Sequence, residues 1–141
     1  MKKLVLSMVV MLMATFSASA ENVSEVWNAI KGWGILNVEN STPAQAAQNG
    51  FTTLSAGYVQ APHHSIVESI EEALDVIDSS YLIGENSNGQ ITVRLYAQPT
   101  GSMYDVLMYS YYAMPQNHML VMMYGTCTEN QLNTLKSLAG K

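Results

Sequence analysis

Three histidines, one cysteine and a run of carboxylates are the side chains of this 141-residue chain whose types could do chemistry. His63 and His64 are adjacent, and His118 is the third. A transition-metal site needs three or more imidazole, thiolate or carboxylate ligands converging at about 2 Å. Neighbouring histidines point in different directions on most backbones, and no H-x-x-x-H or H-E-x-x-H spacing is present. A solvated loop beside a helix start is therefore expected for His63 and His64, and no metal is implied. Cys127, between Thr126 and Thr128, sits beside a helix start, where a thiol can become nucleophilic. Its nearest base, His118, lies at the far end of the same predicted strand, so a buried, inert thiol is expected, with pairing to a second chain as the alternative. Glu68, Glu71, Glu72, Asp75 and Asp78 share one helix face. Paired catalytic carboxylates need unlike environments and calcium needs a wrapping loop, so these five read as a solvated face. No G-x-S-x-G, P-loop or dinucleotide fingerprint occurs. The residues assign no catalytic group, cofactor or metal.

The elements that must position these residues begin after a leader. Lys2 and Lys3 form a positive start, Leu4 to Phe16 an apolar run broken by Ser7 and Thr15, and Ala18-Ser19-Ala20 a small-residue cleavage site. Residues 1–20 thus read as a secretory signal peptide, and residues 21–141 as a single domain. The expected location is exported, periplasmic or extracellular. Loss of Lys2 and Lys3 leaves four basic residues against eleven acidic ones, a net charge of −7 that repels phosphate backbones and argues against nucleic-acid binding. No apolar run after residue 20 approaches the roughly 20 residues of a membrane span, so the mature chain is expected to be soluble. A single cysteine forms no internal bridge, and 121 residues can bury a core without one.

Asn22 and Glu25 form a capping box before the stripe Val23, Val26, Trp27 and Ile30, with Gly32 and Gly34 stopping the helix. Ile35 to Val38 reads as a short strand, and Thr42-Pro43 opens a brief helix closed by Asn49-Gly50. The period of Phe51 to Ala61 decides for neither helix nor strand. Ser65 and Glu68 cap a helix over 65–79, with Ile66, Ile70, Ala73, Leu74 and Ile77 on its apolar face. Gly84 to Gly89 is turn-rich. From Gln90 the period becomes two: Ile91 to Ala97, Met103 to Ala113 and His118 to Gly125 make an antiparallel meander. A last helix follows, capped by Thr128 and Gln131, with the stripe Leu132, Leu135 and Leu138.

The stretch Ile91-Thr92-Val93-Arg94-Leu95-Tyr96, then Tyr104-Asp105-Val106-Leu107-Met108, then Met119-Leu120-Val121-Met122-Met123-Tyr124-Gly125 and the helix from Thr128 to Leu138 resembles a family of small exported proteins of unknown function from Bacteroidetes. The resemblance covers residues 90–138 and extends to the first half only in outline. It implies an export signal, a helical first half, a strand meander and a terminal helix, and it brings no catalytic residue.

The predicted fold is α+β in two layers: an antiparallel sheet of three to four strands with helices packed mainly on one face. If Ile91, Val93 and Leu95 face those helices, Tyr96, Tyr109, Tyr111, Met122 and Tyr124 belong to a greasy outer face. An outer face should be polar. Either these five form a partner surface, as contiguous Tyr/Met patches often do, or the first half of the chain covers them. The functional expectation is an exported, non-enzymatic interaction or self-association module of the bacterial cell envelope, whose partner is a second copy (a homo-oligomer) or another envelope protein. The alternatives are a small hydrolase-like enzyme with a motif-free site, or a small-ligand carrier using a cleft between helix and sheet.

Overall fold

The computed structural model describes residues 22–139, so the signal peptide read at residues 1–20 lies outside the described residues. The first helix is α1 (Val23–Gly32), followed by strand β1 (Asn37–Asn40), helix α2 (Pro43–Gln48) and strand β2 (Phe51–Gln60). Helix α3 (His64–Leu74) and a 3-10 turn (Ser79–Tyr81) lead to β3 (Leu82–Ser87). The chain closes with β4 (Ile91–Thr100), β5 (Met103–Met114), β6 (Asn117–Cys127) and α4 (Glu129–Ala139). All strand pairs are antiparallel, and the sheet order is β1-β2-β6-β5-β4-β3. No helix among the described residues is long and apolar enough to cross a membrane.

The fold is α+β, but its sheet has six strands, not three to four. Helices also pack on both faces. On one face α1 and α3 bury Val23, Val26, Trp27, Ile30, Ile70 and Leu74 against Tyr96, Leu107, Tyr109, Leu120 and Met122. On the other, Ala46 of α2 and Leu132, Leu135 and Ala139 of α4 meet Phe51, Leu95, Ala97, Val106 and Cys127.

The meander β4-β5-β6 supplies the centre, and the extra strands flank it. β1 overlaps the short strand expected at Ile35 to Val38, shifted by two residues, whereas β2 and β3 lack a hydrophobic alternation for a physical reason. In β2, Gly57 stands where an apolar side chain would be expected, because Leu36 and Trp27 occupy the space above it: a Cβ there would lie 3.1 Å from Leu36 Cδ1 and 3.4 Å from Trp27 Cη2. In β3, Gly84 lies beneath Ala139, whose Cβ would be 3.1 Å from an added Cβ. The next residue, Glu85, faces Arg94 across the β3–β4 pair. Turn-forming residue types therefore sit in a strand because the neighbouring elements come close or need a charge.

The caps also differ in detail. The Thr42–Gln45 box of α2 forms in both directions, with Pro43 at N1. At α1 the Asn22 side chain makes no cap bond. It accepts instead from Gln98 Nε2 at 3.2 Å, while Gln98 Oε1 accepts from Val23 N at 3.0 Å, tying the helix start to β4. Helix α3 starts at His64 with His63 as its cap, Nδ1 accepting from Ser65 N, and ends at Leu74, five residues short of the 65–79 expectation. Ile77 still reaches the core from the turn that follows.

Candidate functional site

The five residues expected to form a partner surface lie on the sheet face beneath α1 and α3. Tyr96, Tyr109 and Met122 are buried there, and Tyr111 and Tyr124 are half-buried against the same cluster. Of the two readings of these residues, coverage by the first half of the chain is what the structure displays. Their register explains the grouping. Arg94, Tyr109, Met122 and Gly57 form one cross-strand row, and Thr92, Tyr111, Leu120 and Val59 the next.

This covered face carries its polar groups as ties between sheet and helices. Tyr109 donates its hydroxyl to Glu71 Oε2 of α3 at 2.6 Å. Arg94 Nη1 donates to Asp75 Oδ1 at 2.9 Å and lies 3.4 Å from the Tyr96 hydroxyl. Its Nε sits 3.3 Å from Glu85 Oε2 but out of line, so that ion pair is not a hydrogen bond. Trp27 stacks on Tyr124 with ring centroids 5.9 Å apart. Burial pushes the Tyr109 phenol far above its ordinary value, and the Glu71 carboxylate adds to this. Burial, with Asp105 nearby, pushes Tyr124 up to about 12. Tyr96 is raised by burial against the opposing effect of Arg94. Phenols held neutral in this way, Tyr109 donating and Tyr96 accepting, are structural hydrogen-bonding groups at neutral pH.

The remaining candidates are separated. His63 caps α3, and His64 pairs with Glu68 one turn on at 2.7 Å, both exposed. His118 Nε2 lies 3.0 Å from the Tyr111 hydroxyl. No group of three His, Cys, Asp or Glu side chains converges among the described residues. The acidic run is divided: Glu71 and Asp75 bond to the sheet, while Asp78 accepts from Ser80 N and Oγ, which holds its carboxyl below the usual range. Cys127 is buried, and burial raises its thiol, the opposite of an activated nucleophile.

The opposite sheet face is where the sequence reading missed a candidate. Its rows are Leu95–Met108–Met123–Ala56, Val93–Ser110–Val121–Tyr58 and Ile91–Tyr112–Met119–Gln60. Helix α4 contacts β3, β4 and β5 and reaches Leu95, with Met108, Met123 and Val93 against its flank. Ile91, Tyr112, Met119, Val121 and Tyr58 belong to neither core cluster; the first four are half-exposed and Tyr58 is 37% exposed. None of the twelve side chains in these rows is charged. With Leu95 buried under α4 and Met108 and Met123 packed beside it, the two remaining rows, on four strands about 4.8 Å apart, cover roughly 260 Å². Leu138 of α4 is 66% exposed. By helical period it shares a flank with Gln131, opposite the flank of Glu129 and Lys136.

That second flank of α4 forms one side of a half-open groove of ≈ 410 Å³, bordered by the 3-10 turn and the β4–β5 hairpin. Ala97 and Leu132 make its apolar floor, and Tyr81, Tyr104, Asn133 and Lys136 stand around it. No family model, curated protein or solved structure matches this chain.

Proposed function

We propose that this is an exported association module of the cell envelope, which works by contact and not by catalysis, and whose partner is a second copy of the chain. Export is supported by the tripartite pattern of residues 1–20. The observation that carries the association reading is the pair of half-exposed Met/Tyr/Val rows that α4 leaves open on the second sheet face. Methionine side chains adapt to varied shapes, and tyrosine adds area with a polar tip, which suits both to a contact surface. The two open rows carry no charge across β4, β5, β6 and β2, and the exposed Glu39 of β1, opposite Ala56, stands at the edge of the neighbouring Leu95 row.

The size of the patch sets the strength. A stable interface buries about 800 Å² on each partner, and the roughly 260 Å² of the two open rows is about a third of that. The dimer is therefore weak and reversible, forming at micromolar rather than nanomolar concentration. Light scattering of residues 21–141 over a concentration series tests it. The average mass should rise toward that of a dimer, and Met119→Glu with Val121→Glu should return it to the monomer with the fold intact by circular dichroism. A wild type that stays monomeric at every concentration, or a folded double variant that associates equally well, overturns the proposal.

A further inference from the structure

One stripe of α4 carries three unlike polar groups in a fixed order. Glu129, Asn133 and Lys136 stand at i, i+4 and i+7, so a carboxylate, an amide and an ammonium follow each other along the wall of the ≈ 410 Å³ cleft. The two charges are about 10.5 Å apart along the helix axis. Neither takes part in an ion pair among the described residues, whose pairs are His64–Glu68, Arg94–Asp75 and Arg94–Glu85. Among the described residues Lys136 is thus an uncommitted cation, in a chain poor in them. The floor beneath the stripe is apolar, and the half-buried Tyr81 and Tyr104 face it across the cleft.

We propose that this cleft binds a short peptide with free termini, two or three residues long, lying along α4. Its ammonium end meets Glu129, its carboxylate end meets Lys136, and Asn133, which both donates and accepts, pairs with a peptide group between them. The length follows from the spacing: extended chain spans at most about 3.3–3.6 Å per residue, so three residues bridge roughly 10 Å. Small side chains rest on Ala97 and Leu132. The cleft has the volume of a small-molecule site and lies on the flank of α4 away from the open sheet rows, so its occupation is independent of association.

The probe is trialanine with free ends, titrated into residues 21–141 and followed by amide shifts and calorimetry. Shifts are expected at Ser80 to Ile83 and Glu129 to Lys136, and none on the open sheet rows. Trialanine acetylated at one end and amidated at the other should not bind. Glu129→Gln and Lys136→Met should each weaken binding about tenfold, the effect of one charge-assisted contact. Met119→Glu should leave it unchanged, which separates this site from the association surface. Equal binding of the blocked peptide, or no shifts in the cleft with the free one, overturns the proposal. So do variants that lower the melting temperature without changing affinity, because Glu129 and Lys136 would then serve only the dipole of their own helix.

Discussion

Replacing Tyr109 separates a core tyrosine from a contact tyrosine on the scale of the whole protein's stability. The ring is fully buried at the centre of the sheet, and its hydroxyl donates to Glu71 at 2.6 Å. Tyr109→Phe removes that bond and little else. A hydrogen bond to a charged group contributes about 1.5–3 kcal/mol, and Glu71 is only half-buried, so its carboxylate regains water and the cost falls near 1.5 kcal/mol. Tyr109→Ser also empties the ring's space, and loss of a buried aromatic costs about 3–5 kcal/mol. In a domain of this size 1 kcal/mol moves the melting temperature by roughly 3–5 °C. The expected falls are thus about 6 °C for Phe and 12 °C or more for Ser. Urea denaturation of residues 21–141, followed by circular dichroism, gives both free energies. A serine variant within about 0.5 kcal/mol of wild type is what a solvent-facing tyrosine would give, and it would refute the packing described. A phenylalanine variant as stable as wild type would remove the Glu71 bond from the account.

Gly125→Ala should cost about 3 kcal/mol, because a Cβ there would press into the Thr53 carbonyl oxygen and stand 2.8 Å from Phe51 Cδ2, beside the irregular register of β2. Gly32→Ala, with nothing within 4 Å, should instead raise the melting temperature slightly, by the 0.5–1 kcal/mol that alanine gains over glycine in a helix. The tyrosines set an alkaline limit. Folded Tyr109, Tyr96 and Tyr124 hold their protons above the ordinary value of 10.0, Tyr124 to about 12, whereas the unfolded chain loses them near 10.0. Their contribution is complete below pH 10 and lost as pH rises toward 12, so urea midpoints should be flat below that window and fall within it. Arg94→Met keeps an apolar stem and loses ion pairs to Asp75 and Glu85, both more than half exposed, so it should cost only about 1 kcal/mol, less at high salt.

The sequence disclosed the helices and the meander because their patterns are carried by many residues at once. Val23, Val26, Trp27 and Ile30 repeat with helical period, and Ile91 to Ala97 with strand period. The flanking strands β2 and β3 were hidden because their defining contacts belong to other elements: Gly57 is a glycine for the sake of Leu36 and Trp27, and Gly84 for the sake of Ala139. The expectation of helices on mainly one face misses the second layer for a related reason: Leu95 does meet α4, but α1 and α3 cover the Arg94 and Tyr96 face as well. Aliphatic Ile91 and Val93 suggested the helix-covered side, while Arg94 and Tyr96 suggested solvent. Arg94 in fact reaches Asp75 at the end of α3, and Tyr109 gives its hydroxyl to Glu71, while Tyr96 and Tyr111 bond Arg94 and His118 within the sheet, so polar atoms could enter the covered face. The apolar character of both sides of Met119 to Tyr124 was legible. Which side is left half-open depends on where α4 crosses the sheet, and the period of α4 alone does not say.

The open half of the sheet is the centre of the account, and methionine methyl resonances report on it residue by residue. With methyl-labelled methionine in residues 21–141, Met119 should shift as concentration rises, because its side chain enters the contact, and Met108 and Met123, packed beside α4, should shift less. Met122, on the same strand as Met119 and Met123 but buried against the opposite face, should stay fixed. Methyl signals that ignore concentration, or a shift at Met122 without one at Met119, would contradict association through this face.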